Sequence, residues 1–220
     1  MILVLTVAAT GLFVSVPPAY AQVELKPKSL CGTTIKTSVT LTSNLLCTKS
    51  DKFGDAIRIG VNGITLNCAG YAIENTGSVD FGIDLNMRNH VTVENCHVEY
   101  FYFFGIDVSG SHNILKRNIL YEDGSCDVCS FEPAGMILYS TSSNTVIDNT
   151  ATGNYHEGFA VEGSSSSNII ANNVATSNVM YGFYDLTSGS GTAGTANTYT
   201  TNTCIGNNGG GTQSSPAGLC

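Results

Sequence analysis

The stretch that decides the fold runs from 82 to 186 and repeats itself: GIDL at 82–85, GIDV at 105–108, GMIL at 135–138, GFAV at 158–161 and GFYDL at 182–186. The opening glycines stand 23, 30, 23 and 24 residues apart. A second phrase keeps step with the first: HVTVEN from 90, NILKRN from 113, NTVIDN from 144, NIIANN from 168 and NTYTTN from 197. Two phrases in fixed phase at a period near 23 residues mean stacked coils, none of which can bury its apolar residues without its neighbours.

Each phrase holds four to six alternating Ile, Val, Thr and aromatic residues bounded by Gly, Asn and Ser, which is a strand signal. No segment offers a long apolar stripe of 3.6-residue period. A leucine-rich repeat shares the period but needs several leucines per turn, whereas GMILYSTSSNTVIDNTATGNYHE has one. Strands of successive coils must then pair in parallel, about 4.8 Å apart. The expected fold is all-β: a single-stranded right-handed parallel β-helix, a solenoid of about six coils with disulfide-stapled caps.

The repeated residues have expected tasks. Gly82, Gly105, Gly135, Gly158 and Gly182 sit where the chain turns into a strand, where a positive φ is cheap only for glycine. Asn95, Asn118, Asn149, Asn173 and Asn202 suit a tight bend, since Asn tolerates the left-handed region and bonds its own backbone. Stacked coils would range these amides in a hydrogen-bonded column, with a second column through Asn154, Asn178 and Asn207. Both columns are read as bend ladders rather than ligand amides.

Working outward, residues 1–21 read as a secretory signal. An apolar run from Ile2 to Val16 is followed by Pro17-Pro18 and the small-residue site Ala19-Tyr20-Ala21, although no Lys or Arg precedes the run. The expected organisation is a signal peptide at 1–21, a linker and N-terminal cap at 22–54, coils at 55–206 and a Gly/Ser-rich C-terminal cap at 207–220. No membrane span is expected in the mature chain, and the setting is secreted, periplasmic or at the cell surface. A formal charge of −8 with only 12% charged residues disfavours nucleic acid and anionic membrane, which need a basic face.

Eight cysteines in an exported chain imply disulfides. Cys31 and Cys47 flank the first strand-like stretch and Cys204 and Cys220 bracket the tail, so these pairs are expected to close the two ends. Cys68 takes the ladder position in GITLNC and Cys96 follows Asn95, so the two stand close enough to meet although their registers differ by one. Cys126 and Cys129 form CDVC inside the insertion that stretches one coil to 30 residues. Without a second pair at zinc spacing or a basic neighbour, a local loop staple is preferred over a redox or metal role.

CGTTIKTSVTLTSNLLC at 31–47 and DAIRIGVNGITLNCAGYAI at 55–73 resemble the opening of secreted right-handed β-helix proteins: a Cys-Gly start, a second cysteine, an Ile-x-Ile-Gly strand and a Gly-Ile-Thr-Leu strand. The later coils are similar to the Asn-rich repeats of the NosD-type periplasmic maturation proteins of nitrous-oxide reductase and of carbohydrate-active β-helices. The resemblance implies fold and is nearly silent on activity, because this fold hosts lyases, epimerases, hydrolases, adhesins and inert stalks. The Asp-Pro-His-Glu motif of alginate C5-epimerases is absent.

Aligning the coils on their glycines puts Arg58, Asp84 and Asp107 in one outward column that continues through Ile137, Ala160 and Tyr184. Two carboxylates beside a cation resemble the surface of acidic-polysaccharide lyases, where calcium bridges uronate to carboxylate. A lyase also needs a base, and none is evident beyond Arg58. An exposed ion-pair ladder is the preferred reading. No cofactor is required by the residues; calcium on Asp84 and Asp107 is the candidate. One position before the ladder asparagine, Asn67, Glu94, Arg117, Asp148, Asn172 and Thr201 suggest a second structural charge column. His90 is placed level with Asn113, His97 level with Leu120, and His156 at a turn beside Tyr155 and Tyr181, with no two histidines in one column. In the run Tyr100-Phe101-Tyr102-Phe103-Phe104, alternate rings face out, so Tyr100 and Tyr102 are candidate sugar-stacking residues. With Phe81 and Tyr181 level with Phe104 they form a surface aromatic strip, unless these rings pack under the insertion.

Three function classes follow. The first, preferred for few charges and tight caps, is a secreted module that binds polysaccharide or serves as a surface structure. The second is a lyase or epimerase on acidic polysaccharide centred on Arg58, Asp84 and Asp107. The third is metal-enzyme maturation of the NosD kind.

Overall fold

The computed structural model describes residues 30–126, 129, 132–208 and 211–220. The signal-peptide expectation at 1–21 lies outside the described residues. Among the described residues twenty-two short strands form three sheets, and every pairing between strands of successive coils is parallel. The large, eight-stranded sheet contains Thr33–Ile35, Asp55–Ile59, Phe81–Asp84, Phe104–Val108, Ala134–Tyr139, Glu157–Glu162, Phe183–Asp185 and Ser214–Ser215. The second runs from Val39–Thr40 to Thr198–Thr200 and the third from Leu45–Cys47 to Thr203–Ile205, with seven strands each. Six coils lie between Asp55 and Ile205, and the N-terminal cap segment supplies one more, about seven turns in all. Among the described residues there is no α-helix, and no helix is long and apolar enough to cross a membrane.

Alternation sends one residue of each short strand inward, and parallel register stacks these residues into columns. In the large sheet the inner column is Ile57, Ile83, Ile106, Met136, Phe159 and Phe183. In the second it is Leu66, Val93, Leu115, Val146, Ile170 and Tyr199, and in the third Ile73, Val98, Leu120, Ala151, Ala175 and Cys204. Phe159 and Phe183 stack with centroids 4.8 Å apart, and Phe101 fills the coil from the third corner. Each fully buried aliphatic or aromatic side chain contributes about 1.5–3 kcal/mol, which is what holds strands as short as three residues.

The five phase-setting glycines do not have positive φ, contrary to expectation. Their reason is space. A Cβ on Gly105, Gly135 or Gly158 would lie 2.7–2.9 Å from the carbonyl oxygen of the next glycine in the column. Across the glycine the chain switches faces, with Phe104 in a separate cluster outside the coil, Ile106 in the inner core and Asp107 outward in the Arg58 column.

Three asparagine ladders mark the three corners. They run Asn113–Asn144–Asn168–Asn197, Asn118–Asn149–Asn173–Asn202 and Asp123–Asn154–Asn178–Asn207. In each, the backbone N–H of one member donates to the side-chain oxygen of the next at 2.8–3.0 Å. The amide Nδ2 of most members donates both to that oxygen and to a carbonyl of the preceding coil, for example Asn149 to Leu115 at 2.9 Å. These asparagines are buried and are not the left-handed residues. At one corner the left-handed positions are Asn95, Arg117, Asp148, Asn172 and Thr201, each one residue before the ladder position, all between 53° and 57°.

Asn95 is therefore not a ladder member. Cys96 holds that place, donating its N–H to Asn118 Oδ1 at 3.0 Å, and its sulfur bonds Cys68. The disulfide thus continues the ladder into the N-terminal coils. Cys31–Cys47, Cys204–Cys220 and Cys126–Cys129 are also bonded, leaving no free cysteine. The one-residue shift corrects three further expectations. Glu94 pairs in register with Lys116 rather than Arg117, His97 sits level with Ile119 rather than Leu120, and His90 sits level with His112 rather than Asn113.

Candidate functional site

The outer face of the large sheet carries the charged and aromatic columns. The register confirms the column Arg58, Asp84, Asp107, Ile137, Ala160, Tyr184. A parallel column holds Asp55, Phe81, Phe104, Ala134 and Glu157.

Arg58 is fully engaged. Its Nε lies 3.1 Å from Asp51, Nη2 2.5 Å from Asp55 and Nη1 2.9 Å from Asp84, while Nη1 also donates to Asn86 at 2.9 Å. Phe53 covers its guanidinium at 4.0 Å. Three carboxylates around one cation leave excess negative charge, which burial makes costly. Burial, with Asp84 adding, pushes Asp55 up to about 7 against the opposing pull of Arg58. Burial also raises Asp84, although the Asn86 N–H and Arg58 oppose it. Asp107 is pushed up to about 7 by burial and by Asp84, and its Oδ1 has no hydrogen-bond partner. Arg58 is thus a structural counter-ion held by three aspartates, and no spare guanidinium faces outward from this column.

Beside Asp107 the surface opens into a groove of about 290 Å³ lined by Phe81, Phe104, Asp107, Ile137, Tyr139 and Glu162. Phe81 lies 5.8 Å from Phe104 and 5.3 Å from Phe103, so the pre-glycine aromatics form a packed apolar wall. Tyr139 is 55% exposed and stands in register with Glu162. Burial and the Glu132 charge raise the Glu162 carboxyl, whose Oε1 has no partner.

Tyr100 and Tyr102 do not join this groove. They line a separate polar cavity of about 440 Å³ at the corner between the third and the large sheet, with Asn75, Asp80 and Ser125. Tyr100 meets Tyr121 edge-on at 5.8 Å. The residues singled out from sequence therefore divide between two places.

Three acidic residues were not legible. Glu132 ends the insertion, Glu157 opens the strand Glu157–Glu162, and the pairing of Ala134 with Glu157 brings them together. His156 Nδ1 lies 3.9 Å from Glu132 Oε2. Burial and the Glu132 and Glu162 charges push Glu157 up to about 8. Only the His156-Glu157 dipeptide hinted at this, and its partner became visible with the coil register. Histidines do share a column after all: His90 and His112 stack at 5.1 Å, both with left-handed backbone.

A model of the family described as right handed beta helix region matches residues 62–217. No curated protein matches the chain. The match spans well over half the chain and coincides with the parallel coils, so this protein belongs to the right-handed β-helix family.

Proposed function

We propose that this chain is an exported β-helix module that binds polysaccharide along the outer face of its large sheet. The observation that carries this reading is the groove of Phe81, Phe104, Ile137 and Tyr139, with Asp107 and Glu162 on its rim. Sugars present apolar C–H faces and a ring of hydroxyls, and they suit an aromatic wall with a few fixed acceptors. The parallel coils hold such groups at a regular rise of about 4.8 Å, which meets a polymer at repeated points. Four disulfides fit an oxidising, extracytoplasmic compartment.

A second reading rests on a different observation. Asp107 and Glu162 line one groove, and burial raises both carboxyls. Asp107, pushed up to about 7, can hold a proton near neutrality and donate it, as sugar-cleaving and sugar-epimerising chemistry requires. Elimination from a uronate also needs a cation to stabilise the dianion, and Arg58 is occupied by Asp51, Asp55 and Asp84. Binding is therefore favoured over lyase chemistry.

One screen tests both. The purified mature chain is run through affinity gels of pectate, alginate and neutral glycans, with and without calcium. In parallel, reducing ends and unsaturated uronate are assayed. Retardation without product supports the module, product release supports the enzyme, and neither on any glycan overturns both.

A further inference from the structure

We propose that Glu132, His156 and Glu157 bind a divalent transition-metal ion such as zinc. One donor atom from each lies within 4.8 Å of the others. The second observation is orphaned polarity: Glu157 is 1% exposed and its Oε2 has no hydrogen-bond partner, nor has the buried His156 Nδ1. Leaving a buried carboxylate oxygen unpaired is costly, and here it belongs to a cluster with an imidazole and a second carboxylate. A protonated His156 would satisfy one carboxylate at most, and its separation of 3.9 Å from Glu132 exceeds any hydrogen bond. An ion coordinated at about 2.0–2.2 Å by all three would satisfy every orphan at once.

The geometry needs little change. Donors around one such ion stand about 3–4 Å apart, close to the Glu132–His156 separation of 3.9 Å. Glu157 opens the strand Glu157–Glu162 and His156 immediately precedes it, while the Glu132 side chain is about half exposed (49%), so a small rotamer change can bring its carboxylate in. One imidazole with two carboxylates selects zinc or manganese over calcium, which takes six to eight oxygens. Three protein ligands leave positions for water or a ligand group. Glu162, at the other end of the strand that Glu157 opens, lines the groove. The metal site stands on its own residues, so a failure of glycan binding leaves it untouched.

The test uses the full mature chain, disulfides intact, dialysed against chelator and then titrated with Zn²⁺, Mn²⁺ or Ca²⁺ by calorimetry and equilibrium dialysis with elemental analysis. One Zn²⁺ per chain is expected, with calcium binding at least tenfold weaker. His156→Ala and Glu157→Gln should each weaken zinc binding at least tenfold, with circular dichroism of the metal-free variants reporting the fold. His112→Ala, which removes half of the stacked pair at 5.1 Å, should leave zinc binding unchanged. Absence of stoichiometric uptake, uptake that survives both His156→Ala and Glu157→Gln, or uptake lost with His112→Ala would each overturn the assignment.

Discussion

Asn149→Leu removes the centre of one corner ladder. In the native chain Asn149 Oδ1 accepts the Asn118 N–H at 2.9 Å and Asn118 Nδ2 at 3.0 Å. Its Nδ2 donates to Leu115 O at 2.9 Å, to Ile147 O at 3.1 Å and to Asn173 Oδ1 at 3.0 Å. Leucine fills a similar volume but leaves the Asn118 N–H, the Leu115 carbonyl and one Asn118 amide proton without those partners. Asn149 is 0% exposed, so water does not replace them. At about 1–3 kcal/mol for each of these three groups the loss comes to roughly 3–9 kcal/mol, against a total stability of about 5–15 kcal/mol. Asn95→Gly is the matched comparison. Asn95 sits at φ 55°, which glycine accepts; its bond to Arg117 is exposed and its bond to Asn67 only partly buried. It should cost under about 1 kcal/mol. Urea unfolding followed by circular dichroism reads both. Equal costs, or less than about 1 kcal/mol for Asn149→Leu, would refute the view that buried amides hold the corners.

Asp107 sets a pH dependence: its folded pKa near 7 exceeds the ordinary 3.8, so the penalty is absent below pH 4, grows as pH rises and is complete above about 7. The melting temperature should fall from pH 5 to pH 8, and Asp107→Asn should raise it most at pH 8, with a smaller gain at pH 5 and none below pH 4; no gain at pH 8 would contradict the burial of this carboxyl beside Asp84. Gly135→Ala places a Cβ 2.9 Å from Gly158 O and 2.9 Å from Asn154 Nδ2 and should cost about 1–3 kcal/mol in the same urea assay. Replacing Cys31 and Cys47 together by Ala opens a loop of 16 residues and should cost about 3 kcal/mol, read as a shift of the urea midpoint.

The solenoid was legible because the inward residues and the glycines recur in phase, and a parallel stack turns sequence period directly into register. The column Arg58–Asp84–Asp107 follows from that phase alone. Legibility failed by one residue at Asn95-Cys96. There a cysteine replaces the ladder asparagine, and the left-handed residue before it is itself an asparagine. That shift hid the stacking of His90 on His112. The role of the glycines was misjudged for a related reason: close approach between coils depends on neighbours a period away, whereas φ is the local explanation. The acidic cluster was out of reach because Glu132 follows an insertion that has no counterpart in other coils. Burial, which raises Glu157 and Glu162, depends on what covers the sheet rather than on the strand sequence.

The central claim is that the groove on the large sheet takes sugar. Tyr139 is 55% exposed on its rim, so Tyr139→Ala removes a stacking surface without touching the core. The measurement is the affinity of the wild-type chain, Tyr139→Ala and Tyr102→Ala for whichever glycan the screen retains. A stacking contact of about 1–1.5 kcal/mol predicts a five- to tenfold loss for Tyr139→Ala, with Tyr102→Ala unchanged. Loss confined to Tyr102→Ala would move binding to the corner cavity, and an unchanged affinity for Tyr139→Ala would contradict the groove as the binding site.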